Sequence, residues 1–425
     1  MRVRPNTWLL GLAALVALGT GTVPGAAAVG DGLDPTFAGT GTVDLGPLTP
    51  TAYAPVSDGG LVVAGDVPAD GLGRFVVQRY TPSGSLDPTF SFDGSVRLRF
   101  APGADSRATF VIVRPNGKLV VLGLWNPDGA GTRLGVIRTT AAGGYDPTFA
   151  GDGRTTIGFG DVYAVHDARV LDDGRLAIVL TARPSDASGA FVQWSVRLLP
   201  DGRPDPSLSL LGIEDVSYYA PFPSASRPSL EGVKILPSGR YFRLVRATGT
   251  PPYVHVLGKH TSTGTTSPDF STDGKVWLRC APGDGAVDAT LLLDPAHRPL
   301  VACGAEDIGN DETTAWIRRY TRAGVPDAAF SGDGASTVVF VPRASVDAML
   351  DPVGRPIAYT RASAFVATRL NLAGAVDPPF GTAGTAEATF PSSTNVDCRT
   401  GPTRIYCVVL RAGPASELAV AVATS

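Results

Sequence analysis

Short apolar runs broken by turns recur along the chain, and none carries a helical period. In one representative stretch the runs cover residues 96–100, 108–113, 119–123 and 134–138. Each run is either alternating or continuously apolar and only a few residues long, which predicts β-strands. Asn116-Gly117 separates the second run from the third, a dipeptide suited to the positive φ angles of a tight hairpin. Asp58-Gly59, Asp173-Gly174 and Ser238-Gly239 stand at the matching places of other stretches. Each stretch therefore predicts four short antiparallel strands, and such a unit repeated around an axis is a propeller blade.

The repeat is marked by an anchor. Leu33-Asp34-Pro35-Thr36-Phe37, Leu86-Asp87-Pro88-Thr89-Phe90 and Tyr145-Asp146-Pro147-Thr148-Phe149 are its clearest copies, and weaker ones end at Leu208, Phe270, Phe330 and Phe380. Successive anchors lie 53, 59, 59, 62, 60 and 50 residues apart. Four residues after each anchor stands Gly41, Gly94, Gly153, Gly212, Gly274, Gly334 or Gly384. Eleven before it stands Arg79, Arg138, Arg197, Lys259, Arg319 or Arg369. Glycine held in register reads as a turn that needs a positive φ or no side chain.

Six intervals separate the anchors, and a seventh set of strands follows Phe380 at residues 385–390, 395–399, 404–410 and 417–424. The expectation is an all-β, seven-bladed β-propeller of four-stranded antiparallel blades. It forms a single domain over residues 29–425, and pairing of the N- and C-terminal strands closes it. In the preferred phasing residues 42–46 form the outer strand of the last blade. The strand after each anchor, such as Val96-Arg97-Leu98-Arg99-Phe100, alternates like a half-exposed edge. In the rival phasing each blade is complete in sequence.

The order Ser-Gly-Ser-Leu-Asp-Pro-Thr-Phe, then Asp-Gly, then Arg-Pro-Asn-Gly-Lys-Leu-Val-Val-Leu-Gly resembles the delta-60 repeat, a β-propeller repeat of bacterial exported proteins. The resemblance spans residues 31–425 and implies export and a propeller; it implies no established activity and carries over no functional residues. The copy ending at Phe270 departs from it, with Ser267 for the aspartate and Lys259 for the arginine, and Ala296-His297 replaces the hairpin glycine in the next interval.

Charge and composition narrow the function classes. Net charge is −3 and no basic run follows the N-terminus, which disfavours a nucleic-acid partner. Arg2 and Arg4 precede an apolar segment at residues 8–18, and Ala26-Ala27-Ala28 offers a small-x-small cleavage site. Residues 1–28 thus read as a signal peptide, too short in its apolar core for the roughly 20 residues of a membrane span. The expected chain is a secreted, extracellular monomer with no membrane span and no cofactor. Cys280, Cys303, Cys398 and Cys407 suit an oxidising compartment. The preferred pairing is local, Cys280–Cys303 and Cys398–Cys407.

No catalytic or metal constellation stands out. The recurring Asp34, Asp87, Asp146, Asp205, Asp327 and Asp377, with Arg79, Arg138 and their counterparts, read as capped turns and ion pairs that build blades. Asp93-Gly94, Asp152-Gly153, Asp273-Gly274 and Asp333-Gly334 lack the closely spaced oxygens of a calcium loop. The acidic run from Glu306 to Glu312 reads as a solvated loop, with a cation site as its alternative. His166, His255, His260 and His297 form no metal spacing. Trp125, Trp194, Trp277 and Trp316 read as packing residues, Trp125 being the best glycan candidate. The expected function is a binding or interaction module for an unknown protein or glycan ligand. The alternatives are an extracellular hydrolase or lyase with its site at the channel mouth, or a structural envelope module. The loops that break the repeat, at 67–73, 125–132, 183–190, 214–229, 247–252 and 305–313, are where a unique site is expected.

Overall fold

A computed structural model of the chain describes residues 33–67, 74–101, 105–126, 131–158, 160–184, 192–208, 213–215, 229–246, 254–279, 286–307, 309–362, 364–390, 393–411 and 416–423. The expected signal peptide, Gly212, Cys280 and most of the non-repeat loops lie outside these residues.

The described strands are all antiparallel neighbours within small sheets. The chain enters with Thr42–Asp44 (β1) and then runs through Thr49–Pro55 (β2), Leu61–Asp66 (β3), Phe75–Tyr80 (β4) and Ser95–Leu98 (β5). Next come Asp105–Val113 (β6), Leu119–Asn126 (β7), Arg133–Arg138 (β8), Arg154–Ile157 (β9), Gly160–Val170 (β10), Leu176–Pro184 (β11), Val192–Leu198 (β12) and Ile213–Asp215 (β13). Ser229–Ile235 (β14), Tyr241–Arg246 (β15), His255–His260 (β16), Lys275–Leu278 (β17), Ala286–Leu293 (β18), Pro299–Asp307 (β19), Glu312–Arg319 (β20) and Ala335–Phe340 (β21) follow. The last are Val346–Leu350 (β22), Pro356–Thr360 (β23), Ala364–Arg369 (β24), Thr385–Thr389 (β25), Ser393–Thr400 (β26), Arg404–Arg411 (β27) and Ser416–Ala423 (β28).

Six blades are contiguous in the chain: β2–β5, β6–β9, β10–β13, β14–β17, β18–β21 and β22–β25. The remaining sheet is composite, in the order β1-β28-β27-β26. The expectation of a seven-bladed ring closed by its chain ends is corrected accordingly. Six blades, not seven, are built from one run of chain. The terminal strand contributes the three pairs Thr42↔Ala419, Val43↔Leu418 and Asp44↔Glu417 instead of the whole of residues 42–46, because Leu45 and Gly46 already turn toward β2. No described strand hydrogen-bonds to a strand of the neighbouring sheet, so hydrogen-bonded sheet does not close a ring.

Side chains and loops join the blades instead. Each anchor phenylalanine is buried in a different apolar cluster, Phe90 with β2–β8 residues and Phe330 with residues of β18–β24. The small residue after the anchor adopts a left-handed backbone, with φ near 50° at Ala38, Ser91, Ala150, Ser271 and Ser331. That turn aims its N–H at the next blade, as in Ser91 N to Ala142 O (2.9 Å) and Ser331 N to Ala373 O (2.7 Å). The left-handed conformation costs roughly 1–2 kcal/mol for a residue with a Cβ, and the inter-blade hydrogen bond helps offset it. Three residues on, Gly94 has φ +80°, and a Cβ there would meet Leu86 Cβ at 2.7 Å and Asp87 N at 2.9 Å.

The anchor carboxylate caps its own turn. Asp146 Oδ1 accepts from Thr148 N (3.1 Å) and Thr148 Oγ1 (2.7 Å), and its Oδ2 receives Arg138 Nε (2.7 Å) and Lys118 Nζ (2.8 Å). Arg319 and Asp327 (2.7 Å), Arg369 and Asp377 (2.8 Å), and Arg79 and Asp87 (3.0 Å) pair in the same way. The guanidinium also lies over the anchor ring, 4.7 Å from Phe330 to Arg319, and reaches the next blade through Arg319 Nη1 to Leu372 O (2.8 Å). In the composite sheet Arg404 Nε supplies the cation for Asp34 (2.7 Å). The Asp93, Asp152, Asp273 and Asp333 carboxylates each accept the backbone N–H two residues on, and no group of described residues could hold a metal ion.

Cys398 and Cys407 face each other across β26 and β27 and form a disulfide. Cys303 is also oxidised, while its expected partner Cys280 lies outside the described residues. No helix among the described residues is long and apolar enough to cross a membrane.

Candidate functional site

The first strands of the sheets line a cavity of about 810 Å³. Its lining is about evenly divided, with Phe110, Leu292 and Met349 beside polar and charged groups that enter from a subset of blades. The hairpin turns put these groups in register: Leu171, Leu236 and Asp351 each open the same hydrogen-bonded turn, and Gly401 opens one a residue shorter, its N–H donating to Arg404 O. Counted back from there, Arg169, Lys234 and Arg399 share one position on β10, β14 and β26. Asp167, Asp347 and Asp397 share the position two residues earlier on β10, β22 and β26. Two residues of strand rise about 6.6–6.8 Å, so the channel wall carries a cationic level beside the turns and an acidic level deeper in.

Two polar clusters result. In one, Asp167 Oδ2 accepts from Ile235 N (2.6 Å), and Arg169 Nη1 donates to Ile235 O (3.4 Å). Burial raises the Asp167 pKa, against the opposing pull of Lys234. His166 beside it contacts Thr181 Oγ1 through Nε2 (2.7 Å), and burial lowers its pKa to about 4. In the other cluster Thr290 Oγ1 donates to Asp347 Oδ1 (2.5 Å), and Arg399 stacks over Tyr53 at 4.7 Å while donating to Tyr53 O (2.9 Å). Burial and then the Asp397 carboxylate hold the Tyr53 hydroxyl well above the usual phenol range. Burial followed by Asp347 and Asp397 does the same for Tyr359. Tyr53 Oη is buried and has no hydrogen-bond partner of ordinary geometry among the described residues, although Asp397 lies beside it.

β-Bulges shape this wall. Thr51, Thr109, His166 and Glu231 are each the extra residue against a single partner on β3, β7, β11 and β15. A bulge re-aims side chains and is over-represented next to binding and catalytic sites. It also brings backbone close, so that a Cβ at Gly123 would lie 2.0 Å from Arg107 O.

The residues singled out from sequence lie mostly elsewhere. The recurring aspartates and arginines sit at the blade turns. Trp125 is buried under Arg133, 5.6 Å from its ring, and Trp277 is half exposed on β17. Asp307 of the acidic loop accepts Gly309 N (2.9 Å) and Asn310 Nδ2 (2.8 Å). His255 and His260 end β16, both buried. Of the four histidines, His166 and His297 line the cavity. Sequence reasoning missed Asp167, Arg169, Lys234, Asp347, Asp397 and Arg399. The available signal was a charged residue replacing the apolar one at fixed distance before the hairpin turn.

The buried histidines set a pH dependence. Burial lowers His166 and His255 to about 4 and His260 to about 3, so between the unfolded value of about 6.5 and these values only the unfolded chain takes up the protons. Stability is therefore expected to fall as pH drops from 6.5 toward 4. Urea midpoints at several pH values check this, and His260→Gln should flatten the decline.

The fold and channel define a β-propeller. The family profile described as "Domain of unknown function (DUF5122) beta-propeller" matches residues 57–90. No curated protein matches the chain. Among solved structures, the chain is similar to a PL25 ulvan lyase bound to -[GlcA(1-4)Rha3S]-, at 10% identity and TM-score 0.50, covering 92% of this chain and 94% of that one. A protein of unknown function from Dyadobacter fermentans is 14% identical at TM-score 0.40, covering 73% and 93%. An α-L-arabinanase from Penicillium chrysogenum complexed with arabinobiose is 12% identical at TM-score 0.40, covering 73% and 91%. At these identities the likeness concerns the fold alone.

Proposed function

We propose that the chain is a secreted binding propeller of the delta-60 repeat type, monomeric, whose ligand is a polar glycan or peptide group held in the central channel. The convergence of Arg169, Lys234 and Arg399 with Asp167, Asp347 and Asp397 carries this reading. These residues interrupt the repeat, so blade architecture does not require them, and they face a cavity of about 810 Å³. A ligand with hydroxyls and an anionic group matches the two levels: carboxylates accept from hydroxyls, while the cations take the anion. The Cys398–Cys407 bridge is consistent with an extracellular setting.

Calorimetric titration with acidic oligosaccharides and peptides tests the reading. Lys234→Ala combined with Asp397→Asn is expected to weaken the bound ligand by at least about tenfold, or 1.4 kcal/mol, without loss of fold. Unchanged affinity would reject the channel as the site.

A second reading, an extracellular hydrolase or lyase, is favoured by one observation: the Asp167 carboxyl is raised by burial, the direction a proton donor needs. Product release from acidic polysaccharides, abolished by Asp167→Asn, would select it.

A further inference from the structure

We infer that the junction between the blades β14–β17 and β18–β21 carries a second site, which binds an oxyanion on a small ligand. The protein supplies its own control, since the same junction recurs elsewhere. In the regular blades a buried aspartate accepts two cations, as Asp327 does from Arg319 (2.7 Å) and Arg298 (2.9 Å). The strand arginine then reaches the next blade, as Arg138 Nη1 does to Pro200 O and Arg319 Nη1 to Leu372 O. The carboxylate and guanidinium together fill the space under the turn.

At this one junction both are replaced. Ser267 occupies the aspartate's place, keeping its backbone bonds to Lys259 O (2.8 Å) and from Phe270 N (3.2 Å). Lys259 occupies the arginine's place, and its ammonium donates to Asp269 Oδ2 (2.9 Å). Asp269 stands two residues further on, with its side chain 50% exposed where Asp146 is 2% exposed. It also receives Arg240 Nη1 (2.9 Å). The carboxylate has moved outward, and a cavity of about 650 Å³ lies here, lined by Arg240, Lys259, Arg322, His297 and Asp269 over Phe242.

The three cations outnumber Asp269 and Asp172 in this lining. A single ammonium also has less reach and fewer donors than the guanidinium it replaces. An incoming carboxylate, sulfate or phosphate would enter the cavity under the turn and share Lys259 and Arg240 with Asp269, with Arg322 at the rim. His297 lines both this cavity and the channel, so the site sits beside the channel mouth. It goes beyond the channel reading and does not depend on it.

The test restores the repeat. The triple variant Lys259→Arg/Ser267→Asp/Asp269→Thr should refill the cavity and be at least as stable as the parent, so loss of binding cannot be attributed to misfolding. Glucuronate, sulfate and phosphate are titrated separately by calorimetry at low ionic strength. The expected result is saturable binding of at least one of them, lost by about tenfold or more in the triple variant and in Lys259→Ala/Arg322→Ala. Binding is expected to be unchanged in Arg203→Ala, which removes an exposed cation of another blade that pairs with Asp201. No saturable binding of any of the three, equal binding by the restored variant, or loss in Arg203→Ala would overturn the proposal.

Discussion

Asp327→Ala is expected to destabilise the protein by about 3–5 kcal/mol, the cost of stranding a buried charge. Arg319 is fully buried, stacks on Phe330 and donates from Nη1 to Leu372 O of the next blade, so it cannot turn toward solvent. Arg298 would lose one of its two carboxylates but keep Asp294 at 2.7 Å. Chemical denaturation followed by tryptophan fluorescence measures the loss. The double variant Arg319→Met/Asp327→Ala should recover part of it, since no buried charge then remains without a counter-charge on that strand. A single variant within 1 kcal/mol of the parent would mean that the clamp shapes the turn without stabilising the blade.

Phe37→Ala is expected to cost a similar 3–5 kcal/mol, from lost burial and the cavity left behind. Phe37 belongs to the N-terminal segment yet packs with Tyr406 of β27, edge to face at 6.3 Å, and with Leu45, Leu61 and Tyr80. Its loss should therefore loosen the composite sheet before the contiguous blades. Limited proteolysis should cut first near the N-terminal anchor, and the circular-dichroism melting midpoint should drop. Cleavage beginning in a blade such as β6–β9 would contradict this order of events.

What could be read in the sequence was what repeats. Anchors, in-register glycines and hairpin dipeptides are local features, and each has one physical cause: a positive φ, a capped turn or a buried ring. The four-strand unit followed directly from them. The channel residues were less legible for an equally physical reason. Asp347 and Asp397 sit inside strands whose alternation already mixes polar and apolar positions, and bulges at His166 and Glu231 shift that alternation by one. A charge there looks like an exposed strand position until the packing of the blades places it on the cavity wall. The Lys259 and Ser267 co-departure was visible in sequence. Its consequence was not, because a cavity depends on what the neighbouring blade does.

The three residue pairs between β1 and β28 have a mechanical consequence. The strands are antiparallel, and both chain ends leave from the Thr42↔Ala419 side. A force applied between the two termini would not shear these pairs together but open them one after another, like a zipper. With so few pairs in series, and the Arg404–Asp34 contact loaded just before them, the composite sheet is the part of the molecule that yields first under tension. A protein tethered by both ends would part at this seam while its six contiguous blades stayed intact.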